Sequence, residues 1–404
     1  MLRKISSLLS VQRKSKRNIQ RPVLFKQSSW DDSLAIAKYD PLYLFKSNVV
    51  VYRCVSLIAK SVASIDWFLK DQNQKIQSHE LDYLLQSPNP LQCKVAFLEN
   101  LVTNLLLFGK AYVYQTGSKF HNLQVLKSEH VYIEQGENGV PKAYVYENGN
   151  NKLVVDIDPV TGQSDILHIQ LTNADLTYDG TSPCTVISKV VEFYNQVTEH
   201  NIALLKKGGR PSGALVVKSE NLNPEKFLEL EQQIRKWNTG SKNAGEVLVL
   251  SSECEWKEMG LRPLDTNFLE GQHAGARQIA QVFGVPPMLI GIQGDSTFAN
   301  YKEARVHFWE DTILPMMGKI CSSLNLWFFD RFKVKICADI DSIEALEPKR
   351  NSRLHHIDQV KFLTINEKRA HFGYPALDEN SKCDAEHINE AQSAKKEGKD
   401  EHDL

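Results

Sequence analysis

The sequence predicts an α+β protein, and three observations carry that prediction. Apolar residues recur at helical spacing in several segments of the 404-residue chain. Short runs of aromatic and β-branched residues, bounded by turn residues, predict strands. The strands fall into two separate groups, and the second group is a small β-α-β-β unit between two long helices. The length favours two or three domains over a single core.

The first structured region, residues 31–182, reads as mixed α/β. Apolar residues from Val51 to Ile65 lie at helical spacing and predict a helix over Val49–Leu69. A second helix is predicted over Val95–Phe108, where Gly109 follows it directly. Strand patterns follow, and Asn148-Gly149 predicts a hairpin turn between two of them.

Two helices are predicted at 183–207 and 266–283, on either side of residues 208–258. The Gly-Gly-Arg-Pro run that begins at Gly208 ends the first helix. The unit between them consists of strand Ala214–Val217, helix Pro224–Trp237, strand Glu246–Leu250 and a strand near Glu255. Because this unit is inserted between the two helices, their facing ends must lie near each other.

A short loop rich in small residues follows the second helix. Pro286-Pro287 cannot continue that helix, because proline lacks the amide donor and fixes φ. Gly291 and Gly294 allow the backbone to turn. Asn300 and Glu303 have the spacing of a capping box, which predicts that the next helix begins at Asn300. The loop is therefore predicted to project between two helices.

The longest predicted helix is Asn300–Phe329, and Pro315 should kink it. A strand is predicted over Arg331–Ala338. The segment Ser342–Phe372 is predicted to be helical, with a break near Thr364, where Thr-Ile-Asn-Glu can start a new helix. The acidic composition after Asp378 predicts disorder.

The first thirty residues carry eight Lys and Arg side chains and no acid. A mitochondrial transit peptide has this composition, and so does a flexible basic arm. We favour the flexible arm, over residues 1–30.

Composition excludes several classes of protein. The formal net charge of −1 disfavours a protein that grips nucleic acid tightly by its phosphates, so any such contact should be local or weak. No apolar run approaches the length of a membrane span, so no membrane partner is expected. The seven scattered cysteines contain no CxxC pair, which favours a reducing compartment over a disulfide framework or a zinc finger.

Sequence signatures of catalysis and of phosphate cradles are missing, so no enzymatic activity and no cofactor are predicted. One alternative stays open. Glu303, His307 and Asp311 lie at i, i+4 and i+8 of the long helix, a spacing that can place metal ligands on one face. A metal-dependent hydrolase using these residues is the alternative function. A solvated or ion-paired face is the simpler interpretation, and no metal site is predicted.

Lys206, Lys207 and Arg210 crowd the C-terminal end of the 183–207 helix. Cations at this position complement the helix dipole. They would also form a cationic ring if several copies were arranged in a circle, and composition does not separate these interpretations.

Several short motifs, in a fixed order from about residue 40 to 380, resemble those of the portal proteins of tailed bacteriophages, in the branch typical of siphophages and related prophages. Each motif alone is weak, and their order makes the resemblance specific. Lys110 departs from the family pattern, which usually has Asn there. The motifs are the first helix from Tyr52, Leu84 to Pro90, Leu107 to Tyr112, Gly208 to Gly213, Ile279 to Pro287, the Ser296 to Asn300 loop, Thr312 to Pro315, and Thr364 to Arg369.

The resemblance implies a ring, typically of twelve subunits, at one vertex of the capsid. The implied regions are the basic arm 1–30, the wing 31–182, a stem helix 183–207, the clip 208–258, a second stem helix 259–290, a tunnel loop 291–300, a long wing helix and strand 301–340, a helical crown 341–377 and an acidic tail 378–404.

The implied partners are other copies of the chain, double-stranded DNA in the channel, the large terminase, a head-completion or adaptor protein, and the major capsid and scaffold proteins. The implied location is the virion, after assembly in the host cytoplasm. A degenerate prophage copy that no longer builds particles is a further alternative. The DNA-facing tunnel loop would contain Gly291, Gly294, Asp295, Ser296, Thr297, Phe298 and Asn300.

Overall fold

The computed structural model forms two compact units, residues 1–342 and 343–404, and each is considered by itself. The residues that the structure describes are 19–20, 40–71, 74–76, 79–116, 122–136, 139–174, 178–206, 213–217, 228, 232, 254–258, 268–292, 298–360, 363–371 and 377.

Four helices lie in the described N-terminal part of the first unit. They are α1 (Pro41–Ser47), α2 (Val49–Ala63), α3 (Glu80–Gln86) and α4 (Lys94–Phe108). Helices α2 and α4 pack against each other, and both bury long apolar faces, including Val55 and Ile58 on α2. Asn48 caps α2, because its Oδ1 accepts hydrogen bonds from the amides of Val50 and Val51 at 3.0 and 3.1 Å.

The prediction that this first helix reaches Leu69 is wrong. Helix α2 ends at Ala63, and a strand, β2 (Trp67–Asp71), begins at Trp67. Trp67 and Leu69 are buried while Phe68 and Lys70 are partly exposed, which is the alternation of a strand. Over so few residues, helical and strand spacing overlap.

A three-stranded sheet joins distant parts of the chain. Strand β2 (Trp67–Asp71) pairs antiparallel with β3 (Gln74–Ile76) and with a late strand, Lys335–Ala338, in which Ala338 lies opposite Trp67. The prediction that this late strand begins at Arg331 is wrong, because the preceding helix continues to Phe332.

Two further antiparallel sheets complete the mixed α/β region. The strands of the first sheet, in order, are β5 (Asn122–Leu126), β4 (Lys110–Thr116) and β9 (Ile166–Gln170). Those of the second, in order, are β1 (Ile19–Gln20), β6 (Val131–Gln135), β7 (Pro141–Asn148) and β8 (Asn151–Asp156). An apolar cluster of Tyr112, Leu126, Val131 and Ile166 brings residues of both sheets together.

The predicted hairpin is confirmed, because β7 and β8 pair up to Asn148 opposite Asn151, and Gly149 has φ +60° in the turn. Two residues of the predicted flexible arm differ from expectation: Ile19–Gln20 pairs with β6 as β1. The rest of the arm lies outside the described residues.

The remaining elements of the first unit follow the order that the sequence predicts. They are α5 (Pro183–Lys206), β10 (Gly213–Val217), β11 (Cys254–Glu258), α6 (Phe268–Val282), a 3-10 turn (Pro287–Ile290), α7 (Phe298–His307), a π-helical segment (Phe308–Ile313), α8 (Leu314–Phe332) and the late strand, β12 (Lys335–Ala338).

The second unit contains a 3-10 turn (Glu344–Leu346), α9 (Glu347–Gln359) and α10 (Ile365–His371). The predicted restart at Thr364 is confirmed. The amide of Thr364 donates to Glu367 Oε2 at 2.8 Å, and the amide of Glu367 donates to Thr364 Oγ1 at 3.3 Å. The predicted disordered tail, residues 378–404, lies outside the described residues.

Candidate functional site

Helices α5 and α6 form an antiparallel pair. Gln272 Nε2 donates to Thr198 Oγ1 at 3.1 Å. One turn earlier on α5, Tyr194 lies beside Gly275, where an added Cβ would be 3.8 Å from Tyr194 Cδ2. Later residues of α5 thus face earlier residues of α6, and an added Cβ at Gly271 would lie 3.4 Å from Phe193 Cζ. The helices are in direct contact across these small residues.

The inserted unit is connected to one end of this helix pair, because α5 ends and α6 begins at that end. Its first and last described strands, β10 and β11, pair antiparallel from Gly213–Glu258 to Val217–Cys254. Leu228 and Gln232 are helical, as predicted. The predicted strand Glu246–Leu250 lies outside the described residues.

One residue of the predicted cationic cluster, Lys206, is described, and it lies at the same end of the pair. Lys206 is the last residue of α5. Lys207 and Arg210 lie outside the described residues, so the structure leaves open both interpretations of this cluster.

The chain reverses direction tightly after α6. Gly284 has φ +66°, in the left-handed region that favours glycine. The amide of Val285 returns to the carbonyl of Ala280 at 2.9 Å, and Phe283 and Val285 are buried. Pro287 then opens a 3-10 turn that ends at Gly291, which has φ +84° and is exposed. This anchored turn holds the start of the predicted tunnel loop.

The loop itself is described only at its two ends. Gly294, Asp295, Ser296 and Thr297 lie outside the described residues. Phe298 is the first residue of α7, and Asn300 is the third. The prediction that the helix begins at Asn300, with a capping box at that residue, is therefore wrong by two residues. Ser296, Thr297 and Asn300 are all residue types that cap helices, so spacing alone does not select among them.

The long helix continues through Pro315 by a change of hydrogen-bond pattern. Residues Phe308–Ile313 are π-helical, and the amide of Leu314 donates to the carbonyl of Trp309, five residues earlier. Pro315 then lies in the first turn of α8, where its missing amide is tolerated. The predicted disruption at Pro315 thus takes the form of a π-segment on its N-terminal side.

One contact between the turn and the π-segment is not predicted by the sequence. Thr312 Oγ1 donates to the carbonyl oxygen of Gly284 at 2.7 Å. An added Cβ at Gly284 would lie 2.6 Å from Thr312 Oγ1. No local sequence pattern predicts this contact, because Gly284 and Thr312 are far apart in the chain.

Glu303, His307 and Asp311 do share one helix face, as their spacing predicts. His307 Nε2 lies 3.6 Å from Glu303 Oε1, and His307 Nδ1 lies 3.6 Å from Asp311 Oδ2. All three side chains are more than half exposed. Among the described residues, no group of three or more His, Cys, Asp or Glu side chains is arranged to hold a metal ion. This geometry fits a solvated, ion-paired face.

Lys110, which departs from the family pattern, pairs with Asp179 at 2.5 Å. The pair fixes the segment between β9 and α5 against the start of β4. Next to this ion pair, the backbones of Gly109 and Gly180 are in contact. An added Cβ at Gly109 would lie 2.2 Å from Gly180 O.

Within the described part of the chain, no single helix is both long and apolar enough to cross a membrane. The pair α1 and α2 meets that test jointly, but it is bent by 103°.

A helix pair that brackets a strand-containing insertion, followed by an anchored loop and a long helix, defines a subunit of the portal type. The family described as phage portal protein matches residues 49–373. The chain belongs to the phage portal protein family, which is structural rather than enzymatic.

Individual relatives are similar over most of the chain. A protein of Rickettsia bellii (strain RML369-C) is 37% identical over 343 residues, covering 82% of this chain and 88% of that protein. The portal protein of Escherichia phage T5 is 23% identical over 342 residues, covering 82% and 81%. In a solved structure of the neck of a native gene transfer agent particle, computed with C12 symmetry, one chain matches with a TM-score of 0.65 and 30% identity. The match covers 86% of this chain and 94% of that one.

Proposed function

We propose that twelve copies of the chain form a ring at one capsid vertex and that duplex DNA passes through its centre during packaging and ejection. The single observation that carries this proposal is the antiparallel α5–α6 pair with an insertion at one end and an anchored loop at the other. The C12 symmetry of the gene transfer agent neck, a particle with a chain 30% identical to this one, supports the ring number.

The second part of the proposal is that residues 291–300 line the narrowest part of the channel. The anchored turn from Gly284 to Gly291 holds one end of this loop, and α7 holds the other. The loop contains one carboxylate, Asp295, and no cation. Each additional Lys–phosphate contact strengthens binding, so a conduit for moving DNA should carry few of them. The net charge of −1 agrees with a loose hold.

The third part concerns partners. The inserted unit 208–258 would dock the large terminase and later the head-completion or adaptor protein, because it is inserted at one end of the helix pair. The α/β region would meet the major capsid and scaffold proteins. The protein would then be a virion component that assembles in the host cytoplasm, with Lys206, Lys207 and Arg210 as a cationic ring beside the docking unit.

Electron microscopy of the purified chain tests the ring. We expect closed rings with a central hole, of twelvefold symmetry. A monomer with one bound metal per chain would contradict the ring and favour the hydrolase alternative with Glu303, His307 and Asp311.

Deletion of Gly294 to Thr297 tests the loop, and it leaves α7 complete. We expect rings of normal size and a loss of DNA packaging or retention in particles that carry the variant. The control is deletion of Glu401 to Leu404, which removes the same number of residues far from the loop in sequence. Loss of the ring itself would contradict the assignment of the loop. Normal rings that never support particles, even for the unaltered chain, would favour a degenerate prophage copy.

A further inference from the structure

We propose that α9 is a DNA-binding helix, whose Lys349, Arg350 and Arg353 contact the phosphates of duplex DNA. The choice of DNA as the polyanion rests on the proposed function. The evidence for a surface that binds a polyanion comes from α9 itself.

Helix α9 buries none of its first ten residues. Every residue from Glu347 to His356 is exposed, including Leu354 at 38%. The buried apolar residues next to it, Ile343 and Leu346, precede the helix. A helix that is polar all round receives little stabilisation from a core, so its exposed surface is available to a partner.

The basic side chains of α9 are concentrated on one side. Lys349, Arg353 and His356 lie at i, i+4 and i+7, so they share a face, and Arg350 flanks them. We call Lys349, Arg350, Arg353 and His356 the basic face. Glu347 lies about 160° around the helix from Lys349. The surface is therefore locally cationic although the whole chain has a net charge of −1.

Two of these cations lie in the first turn of the helix. Lys349 and Arg350 are the third and fourth residues of α9. The N-terminal end of a helix carries a partial positive charge and disfavours cations. The same partial charge adds to the attraction of an anion. The helix N-terminus and these two cations therefore attract a phosphate together.

The spacing of the basic face suits a nucleic-acid strand. Lys349 and Arg353 are separated by about 6 Å along the helix axis. Successive phosphates of one DNA strand advance by roughly 3.4 Å along the duplex axis. Flexible Lys and Arg side chains can therefore reach neighbouring phosphates of one strand, and the guanidinium of Arg353 can bind a phosphate in a bidentate manner.

Residues 378–404 of the same chain are the alternative anion that would compete with DNA for the basic face. They contain nine acidic residues and four lysines. DNA is the favoured occupant because it presents a denser and regular row of charge.

The test is fluorescence anisotropy of a labelled duplex of about 24 base pairs with the full chain, titrated across roughly 50 to 300 mM salt. The variant is Lys349→Gln/Arg353→Gln. The control is Lys142→Gln/Lys335→Gln, which removes the same charge from exposed positions on β7 and β12. Circular dichroism of each sample checks that the helices are retained.

We expect the α9 variant to bind at least about tenfold more weakly at low salt. The plot of log affinity against log salt concentration should be less steep, by up to about two for each α9 that contacts the DNA. The control should bind as the unaltered chain does. Equal losses in both variants, or no loss in either, would overturn the inference and leave α9 to another anion, such as the acidic segment.

Electron microscopy of the same samples separates this inference from the proposed function. Rings with an unaltered affinity in the α9 variant would contradict the inference alone. Absence of rings, together with a selective loss of binding in the α9 variant, would contradict the proposed ring and leave the inference standing.

Discussion

Thr312 and Gly284 join the π-helical segment to the turn after α6. Thr312 Oγ1 donates a hydrogen bond of 2.7 Å to the Gly284 carbonyl, and the glycine leaves no room for a side chain on that side. The contact connects the helix that follows the proposed tunnel loop to the turn that precedes it. The long helix after the loop is thereby fixed to the turn before it.

The first prediction is that Thr312→Val lowers the free energy of unfolding by about 1 kcal/mol, because valine keeps the shape and removes the donor. Thr312→Ser should retain most of the stability. Chemical denaturation followed by circular dichroism measures both variants. A loss in Thr312→Ser as large as in Thr312→Val would show that the methyl group, not the hydrogen bond, matters.

A double-mutant cycle extends this test. Gly284→Ala should destabilise by roughly 1–3 kcal/mol, because of its positive φ and the contact of 2.6 Å with Thr312 Oγ1. The same change should cost less in a Thr312→Ala background, where that oxygen is gone. Strictly additive effects would mean that the two residues do not interact.

The second prediction compares two glycines that have similar backbones and different surroundings. Gly109 has φ +72° and Gly149 has φ +60°. Gly149→Ala meets nothing within 4 Å and should cost about 1 kcal/mol from backbone strain alone. Gly109→Ala would drive a Cβ to 2.2 Å from Gly180 O, and overpacking should add about 1–3 kcal/mol.

Thermal or chemical unfolding of these two variants measures the difference. Equal destabilisation would contradict the close approach of Gly109 to Gly180.

The third prediction concerns pH. Burial, followed by the positive charge of Lys110, lowers the pKa of His168 to about 4, against an opposing effect of Asp179. The ring stacks on Tyr112 with centroids 4.5 Å apart, and Nε2 has no hydrogen-bond partner among the described residues. Between about pH 6.5 and pH 4 the unfolded chain binds a proton that the native chain does not. Stability is therefore complete above this range and falls as the pH is lowered through it.

The expected fall is up to about 3 kcal/mol. Denaturation midpoints at several pH values measure it, and His168→Phe, which retains an aromatic ring opposite Tyr112, should flatten this part of the profile. An unchanged profile in His168→Phe would assign the acid sensitivity to other groups.

The fourth prediction concerns thiol reactivity. Burial raises the pKa of the Cys54, Cys184 and Cys321 thiols to about 12 in each case. The thiolate is the reactive form, so these three should resist alkylation at about pH 8. Cys93 is exposed and should react at once. Mass spectrometry after a short treatment locates the label, and denaturant should release the protected thiols. Rapid labelling of Cys321 in the native chain would contradict its burial.

The features predicted correctly from the sequence are local ones. The turn at Gly149 and the restart at Thr364 depend on residues within a few positions of each other. The family was recognisable because many weak motifs occur in a fixed order, and the match over residues 49–373 confirms it.

The features that the sequence predicts wrongly, or does not predict, also have physical explanations. The predicted end of α2 is too late, because the apolar residues of the helix are followed by those of a buried strand that starts at Trp67. The π-segment before Pro315 depends on packing around the whole helix. The contacts Thr312–Gly284 and Lys110–Asp179 join segments that are distant in the chain, so no spacing rule predicts them. The tunnel-loop and cationic-ring residues stay predictions.

The pairing of β12 with β2 has a consequence for synthesis of the chain. The first strand after α2 is made early, but its partner leaves the ribosome only after α8 is complete. Until then β2 presents an open edge to other chains. A nascent chain that stalls or is cut before Lys335 cannot close this sheet, and it should be recognised by chaperones or proteases. Closure of the sheet by a late strand thus makes the fold of the first unit depend on nearly its whole length.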